Sequence, residues 1–292
     1  MRKISTLILC LFAITAFSQN KVTVKLNWKI GKNDTLSYKT IIDETLDESS
    51  KNEFDSLMKS LFTDSLSMQF LTVQQQIINS SQNSVFRSNL TSKGNGVVDI
   101  VIMPMPKEEM EKTVPDSMTM LIDLMKTMNS GPIVSGSVNA TGGIQSFWVN
   151  NVQKNILALL FELPTKSVKI GDTWSIDFNY FQNNPSFKCD SSFKTNKVTL
   201  KEIKKINGEN IAILKYEIIE FVQGLDDLTS IDRSNDTPSF KLIPTKTTMK
   251  CSYEAVGEFS IDHGNWVSYK GTLRCEGQGQ NNMTTKYTLI KN

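Results

Sequence analysis

The chain has 292 residues, with 32 Lys and Arg against 30 Asp and Glu, a single histidine and a formal net charge of +2. A chain this close to neutral lacks the positive field on which nucleic-acid binding relies, so no nucleic-acid partner is expected. Catalytic signatures are absent too: there is no G-x-S-x-G, H-E-x-x-H, phosphate-binding P-loop or Cys-x-x-Cys. Gly277 and Gly279 are followed by neither a third glycine nor a helical pattern, so they make no dinucleotide fingerprint.

Residues 1 to 18 carry Arg2 and Lys3, an apolar run from Leu7 to Phe17, and Ala16-Phe17-Ser18 ahead of Gln19. The run is too short to cross a bilayer, and the pattern reads as a cleavable secretory signal peptide cut near Ser18. Cys10 lies inside the run behind the bulky Leu9, which argues against a lipid anchor. No second long apolar segment follows, so no transmembrane segment is expected after cleavage, and the location expected is periplasmic or secreted. What remains is long enough for one large or two modest domains.

From Val22 to Leu46 the chain alternates around Lys29-Ile30-Gly31, which reads as two strands. Over 51–62, Phe54, Leu57, Met58, Leu61 and Phe62 fall at helical spacing. Strands are expected at 66–78 and 84–91 and, past Gly94-Asn95-Gly96, at 97–103, ending at Pro104 and Pro106. Thr113-Val114-Pro115-Asp116 has capping-box spacing with proline in the first turn and predicts a helix over 114–128. Met118, Leu121, Ile122 and Met125 make its apolar face. Residues 134–147 read as a hairpin turning at Gly142-Gly143, and a third helix over 151–162 ends at Pro164. Beyond it the chain is almost wholly strand. Around Asn207-Gly208 a three-residue hairpin loop would set Val198 opposite Ile218 and Leu200 opposite Tyr216. The stretch 223–247, rich in Asp, Ser, Thr and Pro, reads as a long loop. Strands from Met249 to Glu276 and over 283–291 close the sequence.

Lys169-Ile170-Gly171-Asp172-Thr173 echoes Lys29-Ile30-Gly31 with Asp34-Thr35 behind it. Hairpin-like segments follow each copy in the same order, 71–90 then 134–147 in the first and 198–215 then 255–269 in the second. That order points to an internal duplication with halves at 19–163 and 164–292. The second half also carries Pro164, Val168, Lys169, Gly171, Asp172 and Trp174, the hairpin sequence NGENIAILKYEI at 207–218 and GEFSIDHGNWVSYKGTL at 257–273. It resembles secreted Bacteroidota proteins of the domain-of-unknown-function 6263 type, in which a Pro and a Val-Lys-x-Gly-Asp-x-Trp segment sit midway. The resemblance implies an envelope protein with no known activity and carries over no functional residues.

The fold expected is mainly β within the α+β class, an antiparallel curved sheet or open barrel of two similar β-rich halves. About three helices are expected, mostly in the first half; two separate sandwiches are the alternative. The function expected is that of an exported envelope protein without catalytic activity, binding an apolar or lipid-like ligand in the curved sheet. Met118, Leu121, Ile122 and Met125 would then form an adaptable lid. The alternative is a structural or protein-interaction module of the envelope with a filled core, in which that face is ordinary packing. No cofactor or metal is expected: His263, beside Gly264 at a hairpin tip, reads as a turn residue. The seven methionines between Met103 and Met128 have no His or Cys among them to favour copper.

Three cysteines remain after the leader: Cys189, Cys251 and Cys275. A three-residue loop Asp262-His263-Gly264 would pair Ile261 with Asn265, then Phe259 with Val267, Gly257 with Tyr269, Ala255 with Gly271, Tyr253 with Leu273 and Cys251 with Cys275. This register keeps one face largely apolar and sets an aromatic opposite a strand glycine. Directly opposed strand positions lie within disulfide reach, and an oxidising compartment permits the bond. A Cys251–Cys275 disulfide with Cys189 free is therefore expected, against the alternative of three reduced, buried thiols.

Overall fold

The computed structural model describes residues 23–47, 84–105, 131–148, 151–181, 187–232, 239–277 and 282–292. The expected leader, the helix over 51–62, the strand over 66–78 and the helix over 114–128 with Met118, Leu121, Ile122 and Met125 lie outside the described residues.

The described elements are, in order, β1 (Thr23–Val24), β2 (Thr35–Leu46), β3 (Ser84–Ser92), β4 (Val97–Pro104), β5 (Val134–Asn139), β6 (Ile144–Phe147), α1 (Asn151–Phe161), β7 (Val168–Lys169), β8 (Thr173–Trp174), β9 (Lys188–Ile206), β10 (Glu209–Asp232), β11 (Ser239–Ser260), β12 (Asn265–Gly277) and β13 (Met283–Lys291). β1 pairs with β7, and the rest form one antiparallel sheet of eleven strands in the order β6-β5-β4-β3-β2-β13-β12-β11-β10-β9-β8. β2 and β13 are joined by a ladder from Tyr38↔Lys291 to Leu46↔Met283, so strands from both ends of the chain share one continuous sheet rather than two sandwiches. The sheet is open, with β6 and β8 as its edges. Alternation along β12 and β13 buries Tyr269, Leu273, Cys275, Tyr287 and Leu289 on one face and leaves Lys270, Arg274 and Lys286 on the other.

Two hairpins depart from the expected loops, and in each a bulge keeps the apolar side chains on one face. At the β9–β10 turn, Asn207 (φ 52°) and Gly208 (φ 89°) both take left-handed backbone, which suits a two-residue loop, and Ile206 pairs with Glu209. The three-residue loop expected from the sequence does not form. Lys201 is bulged out instead, which sets Leu200 opposite Leu214 and Val198 opposite Tyr216. At the β11–β12 turn the loop has one residue more than expected: Ser260 pairs with Asn265 and Phe259 with Trp266, so the Ile261–Asn265 and Phe259–Val267 pairs are absent. A bulge at Val267 absorbs the difference. From Glu258↔Ser268 onward the register is the expected one, through Gly257↔Tyr269, Ala255↔Gly271 and Tyr253↔Leu273 to Cys251↔Cys275.

Within the stretch 223–247, expected as a loop, residues 223–232 and 239–247 are strand. β10 and β11 pair residue for residue from Gln223↔Thr248 to Asp232↔Ser239, although β9 runs out at Leu225 and β12 at Met249. The backbone ladder satisfies itself there without the apolar alternation by which a strand is recognised in sequence.

The two turns singled out in the sequence share a geometry, displaced from the sequence match. The Asp34 amide donates to the Gly31 carbonyl (3.0 Å) and the Asp172 amide to the Lys169 carbonyl (2.9 Å). The residue before each Asp is left-handed, Asn33 at φ 65° and Gly171 at φ 90°. Their amides donate to Ser92 (2.9 Å) and Leu200 (2.8 Å), while Thr35 faces Thr91 and Thr173 faces Thr199. Asn33 therefore corresponds to Gly171, two positions on from the Gly31 that the Lys-Ile-Gly match selects.

The third expected helix is present as α1, which packs on β5 and β6. Leu157 presses on Gly136, where an added Cβ would stand 2.4 Å from its Cδ1. Leu157, Leu160 and Phe161 join the main buried cluster with Tyr38, Ile100, Val138, Tyr216, Phe259 and Trp266.

Candidate functional site: the inner face beneath α1

A row of directly opposed residues crosses seven strands on the inner face: Trp174, Val198, Tyr216, Ala255, Gly271, Tyr287 and Ile42. Its middle is small, and aromatics from neighbouring rows lean into the space. A Cβ on Gly271 would lie 2.2 Å from the Tyr253 phenol oxygen, and one on Gly257 would lie 2.5 Å from the Trp266 ring. The strand glycines thus make room for the large residues that hold α1.

The last carbonyls of a helix lack partners within it. In α1 they point into the core, where no C-terminal glycine follows, and three aromatic donors meet them. Tyr269 Oη donates to Leu159 O (2.6 Å), Trp266 Nε1 to Leu160 O (2.7 Å) and Trp28 Nε1 to Phe161 O (3.0 Å). Because the Tyr269 hydroxyl spends its proton on Leu159, the Tyr253 hydroxyl donates to Tyr269 at 2.5 Å. The Trp266 amide donates to the Tyr38 phenol (2.9 Å). Tyr216 meets Tyr253 and Tyr269 edge-on, at ring separations of 6.3 and 5.6 Å. Beneath the end of α1 the core is filled with rings.

Beside this filled part lie polar atoms of a different kind. Tyr216 Oη and Trp174 Nε1 are buried and, among the described residues, have no hydrogen-bond partner. Such groups ordinarily find one, because an unpaired buried donor loses its hydration for nothing. Glu162, immediately after α1, is near enough for its charge to raise the Tyr216 phenol further, on top of the large upward push from burial. Burial likewise pushes the Glu162 carboxyl up to about 7, opposed by the Asp177 amide that donates to it at 2.8 Å; Asp177 also adds to the rise, and Lys154 opposes it. Lys154 is itself paired with Asp177 at 2.6 Å.

Residues 176–181 strap this region to the sheet. Asn196 accepts from the Ile176 amide and donates to its carbonyl, the buried Glu220 accepts from the Tyr180 amide (2.8 Å), and Lys194 bonds the Phe178 carbonyl and the Asn179 side chain. Burial also raises the Glu44 carboxyl, and its charge adds to the rise of the Tyr180 and Tyr287 phenols.

Cys251 and Cys275 stand opposite each other on this inner face with Cα atoms 4.2 Å apart, at disulfide distance, and Cys189 is exposed elsewhere. His263 sits in the hairpin turn with Nε2 3.0 Å from Glu209 Oε1. Sequence reasoning passed over Glu162, Tyr216 and Trp174. The available signal was Glu162 as the lone acid in LALLFELP, where an apolar run leaves a carboxyl little water. Trp174 and Tyr216 flank Val198 in the inner-face row, and Glu162 lies within electrostatic reach of Tyr216. Among the described residues no helix is long and apolar enough to cross a membrane. No protein-family model matches the chain, and no curated protein matches it significantly.

Proposed function

We propose that this is an exported envelope protein without catalytic activity that holds an apolar or lipid-like ligand against the inner face of its sheet. The observation that carries the reading is the pair of buried donors, Tyr216 Oη and Trp174 Nε1, unpartnered among the described residues, with the half-buried Glu162 in electrostatic reach of Tyr216. They would bind the ligand's polar end while Val198 and its neighbours take the apolar part. Export rests on the leader pattern of residues 1–18, with release to the periplasm or beyond. The resemblance to the domain-of-unknown-function 6263 type belongs to the same proposal. So does descent from a duplication with halves 19–163 and 164–292, which the shared geometry of the Asn33 and Gly171 turns supports. Met118, Leu121, Ile122 and Met125 are proposed as the lid.

The test is solvent extraction of protein purified from its own envelope, followed by mass spectrometry. A lipid-like species recovered near one per chain, and reduced in the Tyr216→Phe and Trp174→Phe variants, is the expected result. Extracts indistinguishable from those of an unrelated exported protein would refute it. The filled ring cluster under α1 favours a second reading, a structural or protein-interaction module of the envelope, and that is the reading an empty extract leaves standing.

A further inference from the structure

The outer face of the same strands carries a groove of about 410 Å³ that crosses β10 to β13. Tyr216, Ala255, Gly271 and Tyr287 line it, and since their side chains belong to the inner face, they contribute backbone. One wall is the directly opposed row Lys215, Val256, Lys270 and Thr288; the other is Glu254, Thr272 and Lys286, with Arg274 beyond.

The cations are placed by register. On β12, Thr272 lies between Lys270 and Arg274, and Lys286 of β13 stands directly opposite it. Strand geometry therefore puts Lys286 about 7–8 Å from each of Lys270 and Arg274 at the backbone and those two about 13 Å from each other, with Thr272 between them and Thr288 beside Lys270. Lys215 is tied to Glu217 at 2.8 Å, but among the described residues Lys270, Arg274 and Lys286 take part in no ion pair. Glu254 at the wall, Asp43 across from Lys286, Glu276 two residues on from Arg274 and Glu258 diagonal to Lys270 are the neighbouring carboxylates. Lysine and arginine side chains are long enough to reach in over Thr272 from these positions, and a compact anion there would take charge-assisted hydrogen bonds from them.

We propose that Lys270, Arg274 and Lys286, with Thr272 and Thr288, form an oxyanion site for a phosphoryl or sulfate group. The site is independent of the inner-face reading. Its test is calorimetric titration of the exported protein with inorganic phosphate and with sulfate at low ionic strength, paired with sedimentation on phosphatidylglycerol and phosphatidylcholine vesicles. Lys270→Gln, Arg274→Gln and Lys286→Gln should together weaken binding by about ten-fold or more, while Lys204→Gln, at an exposed lysine paired with Glu202, should leave it unchanged. Binding of the free ions alone assigns the site to a soluble anion. Retention on phosphatidylglycerol but not phosphatidylcholine, lost in the triple variant, assigns it to a lipid headgroup. If neither ion binds and the two vesicles behave alike, or if a triple variant of unchanged melting temperature binds as well as the parent, the proposal is overturned.

Discussion

Trp266 shows how much one side chain carries here. Its indole N–H satisfies the Leu160 carbonyl, its amide bonds Tyr38, and its ring covers Gly257 and meets Phe259 edge-on at 5.1 Å. Trp266→Phe keeps much of the apolar bulk but strands a buried carbonyl, so denaturant unfolding should show a loss of about 2–4 kcal/mol. Glu162 acts in the opposite sense. Its carboxyl is raised to about 7 in the folded chain from an ordinary 4.5, so between those values the folded state binds more protons than the unfolded one. Stability from this group is present below about pH 4.5, declines as pH rises, and is gone above about 7, a fall of about 3 kcal/mol. Glu162→Gln should flatten that part of the pH profile relative to the parent; parallel profiles for the two proteins would show that the carboxyl is not buried as described.

At the scale of elements, the last hairpin tests the register. Cys251 and Cys275 should be linked in non-reduced peptide maps of the protein from its native source, with Cys189 alkylated. Closing a loop of this length stabilises by about 3 kcal/mol, and reduction should cost that much. A Cys189-linked peptide would mean that the pairing is wrong. Gly271→Val should also cost more than about 2 kcal/mol, since the new side chain would displace the Tyr253 phenol and with it the chain of bonds to Leu159; a neutral melting shift would exclude that packing. Much of this was legible in the sequence. The register from Glu258 to Cys251 was legible although the three-residue loop it is counted from does not form, because the bulge at Val267 offsets the extra loop residue, and helical spacing located α1. The bulges at Lys201 and Val267 were not, because an extra residue in a strand costs little locally and leaves no mark in composition. The β10–β11 extension was misread because its pairing rests on backbone bonds rather than on apolar periodicity. The aromatic capping of α1 and the approach of Glu162 to Tyr216 join residues far apart in the chain, which no local pattern reports.

In the whole molecule, the sheet is closed in sequence but open in space. β2 and β13, near the two ends of the chain, are neighbours at its middle, and the edges β6 and β8 lie on either side of the α1 segment that connects them. Such a sheet gives one inner face to a core and, by our proposal, to a ligand, and leaves the outer face for charged contacts. Tyr216 belongs both to the filled ring cluster and to the donors unpartnered among the described residues, and the two readings of function differ in which role matters. Native mass spectrometry of the intact protein, purified from its native source without detergent, separates them most directly. The account predicts a chain heavier than its polypeptide by one lipid-sized mass, which organic solvent releases and which Tyr216→Phe combined with Trp174→Phe diminishes. A mass equal to that of the bare chain, from protein never exposed to detergent or solvent, would contradict it.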